Sequence, residues 1–103
     1  MKITIKNTDY TIKYTVRAMF VFEQITNKNF EISSSLDQYI FMYSVILANN
    51  PENILSWDDF IEAVDENPNL MQDFLRYLTE YNNSRRVFQN EEETEDADDE
   101  KKN

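Results

Sequence analysis

Residues 2–15 read KITIKNTDYTIKYT, and the parity of this stretch decides what the rest of the chain has to supply. Ile3 and Ile5 alternate with Lys2, Thr4 and Lys6, and Tyr10, Ile12 and Tyr14 alternate with Thr11 and Lys13. A period of two predicts a pair of strands with one apolar face. A two- or four-residue loop within Lys6–Asp9 puts Ile3 and Ile5 on the face of Ile12 and its neighbours. A three-residue loop would set lysine against tyrosine unless a bulge corrected it. Asn7 and Asp9 suit a turn, although the chain has no glycine to fix the turn type. A lone hairpin is marginal in water, so helices must cover its apolar face.

Helical spacing follows at once. Thr15 is placed to cap a helix over residues 16–27, with Val16, Met19, Phe20, Phe22 and Ile25 on a broad apolar arc. Ser34 or Ser35 caps a second helix over about residues 36–48. One of its stripes is Leu36, Ile40, Tyr43 and Leu47, and the adjoining one is Tyr39, Met42 and Ile46. That leaves Asp37, Phe41, Ser44 and Ala48 for the wet side, where Phe41 is out of place. Ser56-Trp57-Asp58-Asp59 has the form of a capping box and opens a short helix to about Glu66. Asn67-Pro68 opens a last helix to about Asn82. The expected fold is α+β: an N-terminal hairpin followed by about four packed helices.

The 103 residues include no glycine, cysteine or histidine, and the formal net charge is −10. Phosphate-cradling loops need glycine, and most nucleophile–base pairs and zinc sites need histidine or cysteine. Residues 91–100, EEETEDADDE, hold eight acids in ten positions. Such a run cannot bury enough apolar surface to offset its ordering entropy. The expected division is therefore a compact domain over residues 1–83 and a disordered acidic tail over 84–103. At roughly 83 residues a single core is only just sufficient, so it must be dense or share a surface with another chain. The longest apolar run, Tyr39–Ala48, is about half the length of a membrane span, and no signal-peptide core precedes it. These features predict a cytoplasmic protein with no membrane partner.

The acids Asp58, Asp59, Glu62, Asp65 and Glu66 gather on one helix side, where a solvated face at a helix N-terminus explains them better than a cation site. Glu23 is the carboxylate to watch for acid–base chemistry, and a partly buried, paired glutamate is the plainer explanation. No catalytic, metal or cofactor site is expected. The net charge argues against nucleic acid. The residues expected to meet a partner are the apolar outliers Val21, Phe41 and Tyr77. The hairpin lysines Lys2, Lys6 and Lys13 come next, because a two-stranded sheet has open edges.

The hairpin KITIK…YTIKYT, the helix RAMFVFEQITNKNF, an aromatic helix and then WDDFIEAVDENPNLMQDF together resemble the phage tail assembly chaperones, in the versions carried by phages and prophages of Bacteroidetes-type bacteria. The likeness covers about residues 1–82 and is best at Phe22–Phe30 and at Asp65-Glu66-Asn67-Pro68. Relatives often have Thr-Gly-Lys where this chain has Thr26-Asn27-Lys28. The resemblance implies a non-enzymatic protein that binds the long helical tape measure protein, keeps it soluble and helps recruit tail tube subunits. A homo-oligomer is compatible with it. The rival readings are an acidic DNA mimic that inhibits a host nuclease, a small protein-interaction module of unknown partner, and a small enzyme with converging carboxylates.

Overall fold

A computed structural model describes the backbone of residues 1–93 and the side chains of residues 1–83. Strand β1 (Lys2–Ile5) pairs antiparallel with β2 (Thr8–Thr11), with Ile5 opposite Thr8 and Ile3 opposite Tyr10. The loop is the two-residue one, Lys6-Asn7, with φ of 50° and 66°. Two left-handed residues make a type I′ turn, whose twist matches that of the strands it joins. The even loop keeps the parity: Ile3, Ile5, Tyr10 and Ile12 are all buried on one face.

Helix α1 (Val16–Thr26) is capped by Thr15, whose side chain accepts the Ala18 N–H. It ends at Asn27, left-handed at φ 60°, whose N–H donates to the Glu23 carbonyl. Helix α2 (Ser35–Asn49) is capped by Ser34 through the Asp37 N–H. Helix α3 (Trp57–Glu66) is capped by Ser56 through the Asp59 N–H. Each cap satisfies a donor that the first helical turn leaves without a backbone partner. Helix α4 (Asn69–Glu93) follows Asn67, whose side-chain oxygen accepts the Asn69 N–H at 3.2 Å. It runs past the expected end near Asn82, because no glycine or proline interrupts residues 69–93. The remainder of the expected acidic tail, 94–103, lies outside the described residues.

The hairpin and four helices share one core, an α+β arrangement. Its centre is aromatic. Phe41 lies 5.0 Å from Phe30, 5.8 Å from Phe74 and 6.2 Å from Phe22 between ring centroids, and Tyr14 packs edge-on against it at 5.7 Å. This corrects the expectation for Phe41: it is 3% exposed and is the hub of the core, not a surface outlier. The phase of α2 differs from the expected one in part. Asp37, Phe41, Met42, Ser44, Val45 and Ile46 face inward, Met42 and Ile46 as expected, whereas the stripe of Leu36, Ile40, Tyr43 and Leu47 lies toward the outside.

Among the described residues two polar side chains, Asp37 and Ser44, are buried with the apolar ones, and both are satisfied. The Ser44 hydroxyl donates to the Ile40 carbonyl at 2.7 Å. The Asp37 carboxylate accepts from the Ser33 N–H and hydroxyl, both at 3.0 Å, and from the Lys28 ammonium at 3.1 Å. No buried side-chain nitrogen or oxygen among the described residues lacks a partner. No helix among them is long and apolar enough to cross a membrane.

Candidate protein-binding surface

Helix α2 is apolar on every side, which normally marks a helix enclosed all round. Here the enclosure is incomplete. Residues Leu36, Ile40, Tyr43 and Leu47 recur at helical spacing along its outward face and span about 16 Å at the usual rise. Leu36 is 59% exposed, and the other three are half-buried. Ile25 of α1, 45% exposed, and Trp57 at the start of α3 rise on either side. Together Ile25, Ile40, Tyr43, Leu47 and Trp57 line an apolar groove of about 490 Å³.

The walls of the groove are braced from beneath. The Tyr43 hydroxyl donates to the Leu55 carbonyl at 2.6 Å, and burial pushes its pKa up. The Tyr43 ring meets Trp57 edge-on at 5.2 Å and packs on Phe60 at 5.4 Å, so it forms a fixed wall rather than a loose side chain. The connector between α1 and α2 is held from both ends. Glu23 accepts the Phe30 N–H at 2.8 Å, and Asp37 gathers Ser33 and Lys28. The Ser33 N–H, and then the Lys28 ammonium, hold the Asp37 carboxyl down to about 2. These contacts tie the connector to α1 and α2, the two helices that supply Ile25, Ile40, Tyr43 and Leu47 to the groove.

A second apolar patch occupies the opposite side of α1, where Val16 is 59% and Phe20 56% exposed. The sequence places both on the broad apolar arc of this helix, and the structure leaves them outside the core. Their arc lies half a turn from Ala18 and Phe22, the two buried residues of α1. Beside them Tyr14, Thr15, Val16, Met19, Tyr81 and Asn82 border a depression of about 400 Å³.

The residues singled out from sequence are scattered. Val21 is half-buried on α1. Tyr77 on α4 is also half-buried, and its hydroxyl accepts the Tyr14 N–H at 3.1 Å. Lys2, Lys6 and Lys13 are exposed on the hairpin. Lys6 is committed within the fold, 3.1 Å from Asp59 and 3.0 Å from Glu62, and those acids raise its pKa, Glu62 first. Of the stripe Leu36, Ile40, Tyr43 and Leu47, which the sequence assigns to the core, Ile40 and Tyr43 do pack against it, but Ile40, Tyr43 and Leu47 also line the groove and Leu36 lies exposed one turn before it. A helix carrying two apolar faces is the signal that finds them.

Polar chemistry is sparse. Glu23 is taken up by the Phe30 N–H, and no group of His, Cys, Asp or Glu among the described residues is placed to hold a metal ion. No protein-family model, no curated protein and no solved structure matches the chain.

Proposed function

We propose that this chain is a phage tail assembly chaperone of the bacterial host cytoplasm, and that it seats an amphipathic helix of the tape measure protein against the outward face of α2. The observation that carries the reading is the outward stripe of the central helix, with Leu36 exposed and Ile40, Tyr43 and Leu47 half-buried, the last three lining one groove with Ile25 and Trp57. A groove with anchors at helical spacing suits a helix that presents its own apolar residues at i, i+3, i+4 and i+7. A tape measure protein supplies many such helices, and each is prone to aggregation until covered.

Two further features support the reading. The segments Phe22–Phe30 and Asp65–Pro68, which carry the family likeness, form the end of α1 with its connector and the α3–α4 junction. Both junctions set the helices that flank α2. The net charge of −10 opposes association between loaded complexes, as a solubilising protein requires. Recruitment of tail tube subunits would use a different surface.

Co-expression provides the test. The tape measure protein encoded beside this gene should stay soluble and co-purify with the chain. Aggregation of the tape measure protein despite excess chain, or a gene neighbourhood without tail genes, would overturn the reading. Nuclease inhibition that survives removal of residues 91–103 would favour the DNA mimic instead.

A further inference from the structure

The hairpin has two edges, and the fold closes only one of them. The Ile12 N–H donates to the Met1 carbonyl at 2.8 Å, and the Met1 ammonium to the Ile12 carbonyl at 3.4 Å. In an antiparallel ladder bonded pairs alternate with non-bonded ones, so Ile3–Tyr10 and Ile5–Thr8 are bonded as well. The backbone groups of Lys2, Thr4, Asp9 and Thr11 therefore point outward. On β2 the Asn50 side chain accepts the Thr11 N–H and donates to the Thr11 carbonyl, each at 2.9 Å, as a neighbouring strand would. Asn49 adds a bond to the Lys13 carbonyl at 2.8 Å. Among the described residues nothing of the kind occurs on β1. Lys2 and Thr4 are exposed, and their outward N–H and C=O groups meet no partner among the described residues.

A trough runs beside that open edge. One depression, of about 380 Å³, lies between Lys2 and the α4 residues Tyr77 and Glu80. Another, of about 130 Å³, lies between Thr4 and the acids Glu62 and Glu66 at the end of α3. Each has β1 as one wall and the C-terminal helices as the other. Neither includes a residue of β2, which places both along the free edge. Charge distinguishes the two ends. At the first, Lys2 and Arg76 balance Asp73 and Glu80 in formal charge, Arg76 and Asp73 being 3.1 Å apart. At the second, Lys6 is already shared by Asp59 and Glu62, which leaves Glu66 without an ion pair among the described residues.

We propose that the outer edge of β1 accepts an extended, cationic segment of a partner protein as a third strand, with a lysine or arginine of that segment reaching Glu66. The Lys2 and Thr4 backbone supplies the ladder, and the trough gives the added strand's inward side chains a place. Cationic character follows from the unpaired acid at the turn end and from the chain's net charge of −10. The same charge disfavours a second copy of this chain on the edge. This surface is separate from the helix groove, and the two stand or fall independently.

The test is a titration of the ¹⁵N-labelled chain with a synthetic peptide, Thr-Lys-Val-Thr-Val-Thr, and with analogues carrying norleucine or glutamate in place of lysine. The lysine peptide should shift the Lys2 and Thr4 amides and slow their exchange with solvent, and the glutamate analogue should bind least. Thr4→Pro removes one outward N–H without touching the ladder and should weaken binding roughly tenfold. Thr4→Val, which gives up only the 2.6 Å bond from the Thr4 hydroxyl to Asp9, should bind as the parent does. Glu66→Gln should cost the lysine peptide roughly two- to fivefold and leave the norleucine analogue unchanged. Equal affinity for lysine and glutamate peptides would overturn the proposal. So would binding that leaves the Lys2 and Thr4 amides unprotected, or protection that appears in the free chain as its concentration rises. The amide readout on the parent chain decides the matter even if Thr4→Pro fails to fold.

Discussion

The Lys28 ammonium, just beyond the C-terminal cap of α1, lies 3.1 Å from the Asp37 carboxylate in the first turn of α2. Asp37 is buried and Lys28 about half exposed, so the pair closes the α1–α2 connector over a carboxylate whose other partners are the Ser33 N–H and hydroxyl. This closure joins the two helices that supply Ile25, Ile40, Tyr43 and Leu47 to the apolar groove.

Acid should loosen it. The Asp37 carboxyl is held down to about 2, below the ordinary value near 4, so its contribution to stability is full above about pH 4 and disappears as pH falls toward 2. Melting temperatures recorded across that window should drop for the parent chain. Asp37→Asn should lower the melting temperature at neutral pH and flatten the curve between pH 4 and 2. A variant as steep as the parent would remove Asp37 from this role.

Phe41 and Leu36 should respond in opposite ways. Truncating Phe41 empties the centre of the aromatic cluster and should cost about 3–5 kcal/mol in denaturant unfolding. Leu36→Ala touches a side chain 59% exposed and should change stability by no more than about 0.5 kcal/mol. Comparable losses for the two would mean that the face of α2 has been assigned wrongly.

Asn50 should behave as a piece of sheet. Asn50→Ala removes both bonds to Thr11 and should cost about 1–2 kcal/mol, with faster amide exchange concentrated at Thr11. Unchanged exchange at Thr11 would show that the edge is closed by something else.

Asn27 offers a backbone test. Its φ of 60° suits asparagine and suits glycine better, whereas a residue with an ordinary Cβ is disfavoured there. Asn27→Gly should match or exceed the parent in stability, and Asn27→Ala should lose about 1 kcal/mol in the same unfolding experiment.

These sites also show where sequence is readable. Thr15, Ser34 and Ser56 are legible caps because each side chain and its backbone target lie three residues apart. The hairpin is legible because parity admits few loops, and the even loop of Lys6-Asn7 keeps Ile3, Ile5 and Ile12 on one face. The phase of α2 is not legible. Apolar side chains occupy nearly its whole circumference, so periodicity cannot distinguish the inward Phe41 from the outward Leu36. Only packing against Phe22, Phe30 and Phe74 decides it. The same ambiguity hides the groove, since periodicity assigns Ile40, Tyr43 and Leu47 to the core alone. That a two-stranded sheet has open edges is legible, but which edge stays open is not. Closure of the other edge by Asn50 depends on where the end of α2 lies, which no local pattern encodes.

The most direct test of the central claim is the solubility of the co-expressed tape measure protein with the parent chain and with Leu36→Lys, measured as the fraction remaining in the supernatant. The parent should hold it in solution, and Leu36→Lys, folded to the same melting temperature, should let it aggregate. Equal solubility with both chains would place the contact elsewhere, and aggregation with both would remove the chaperone reading altogether.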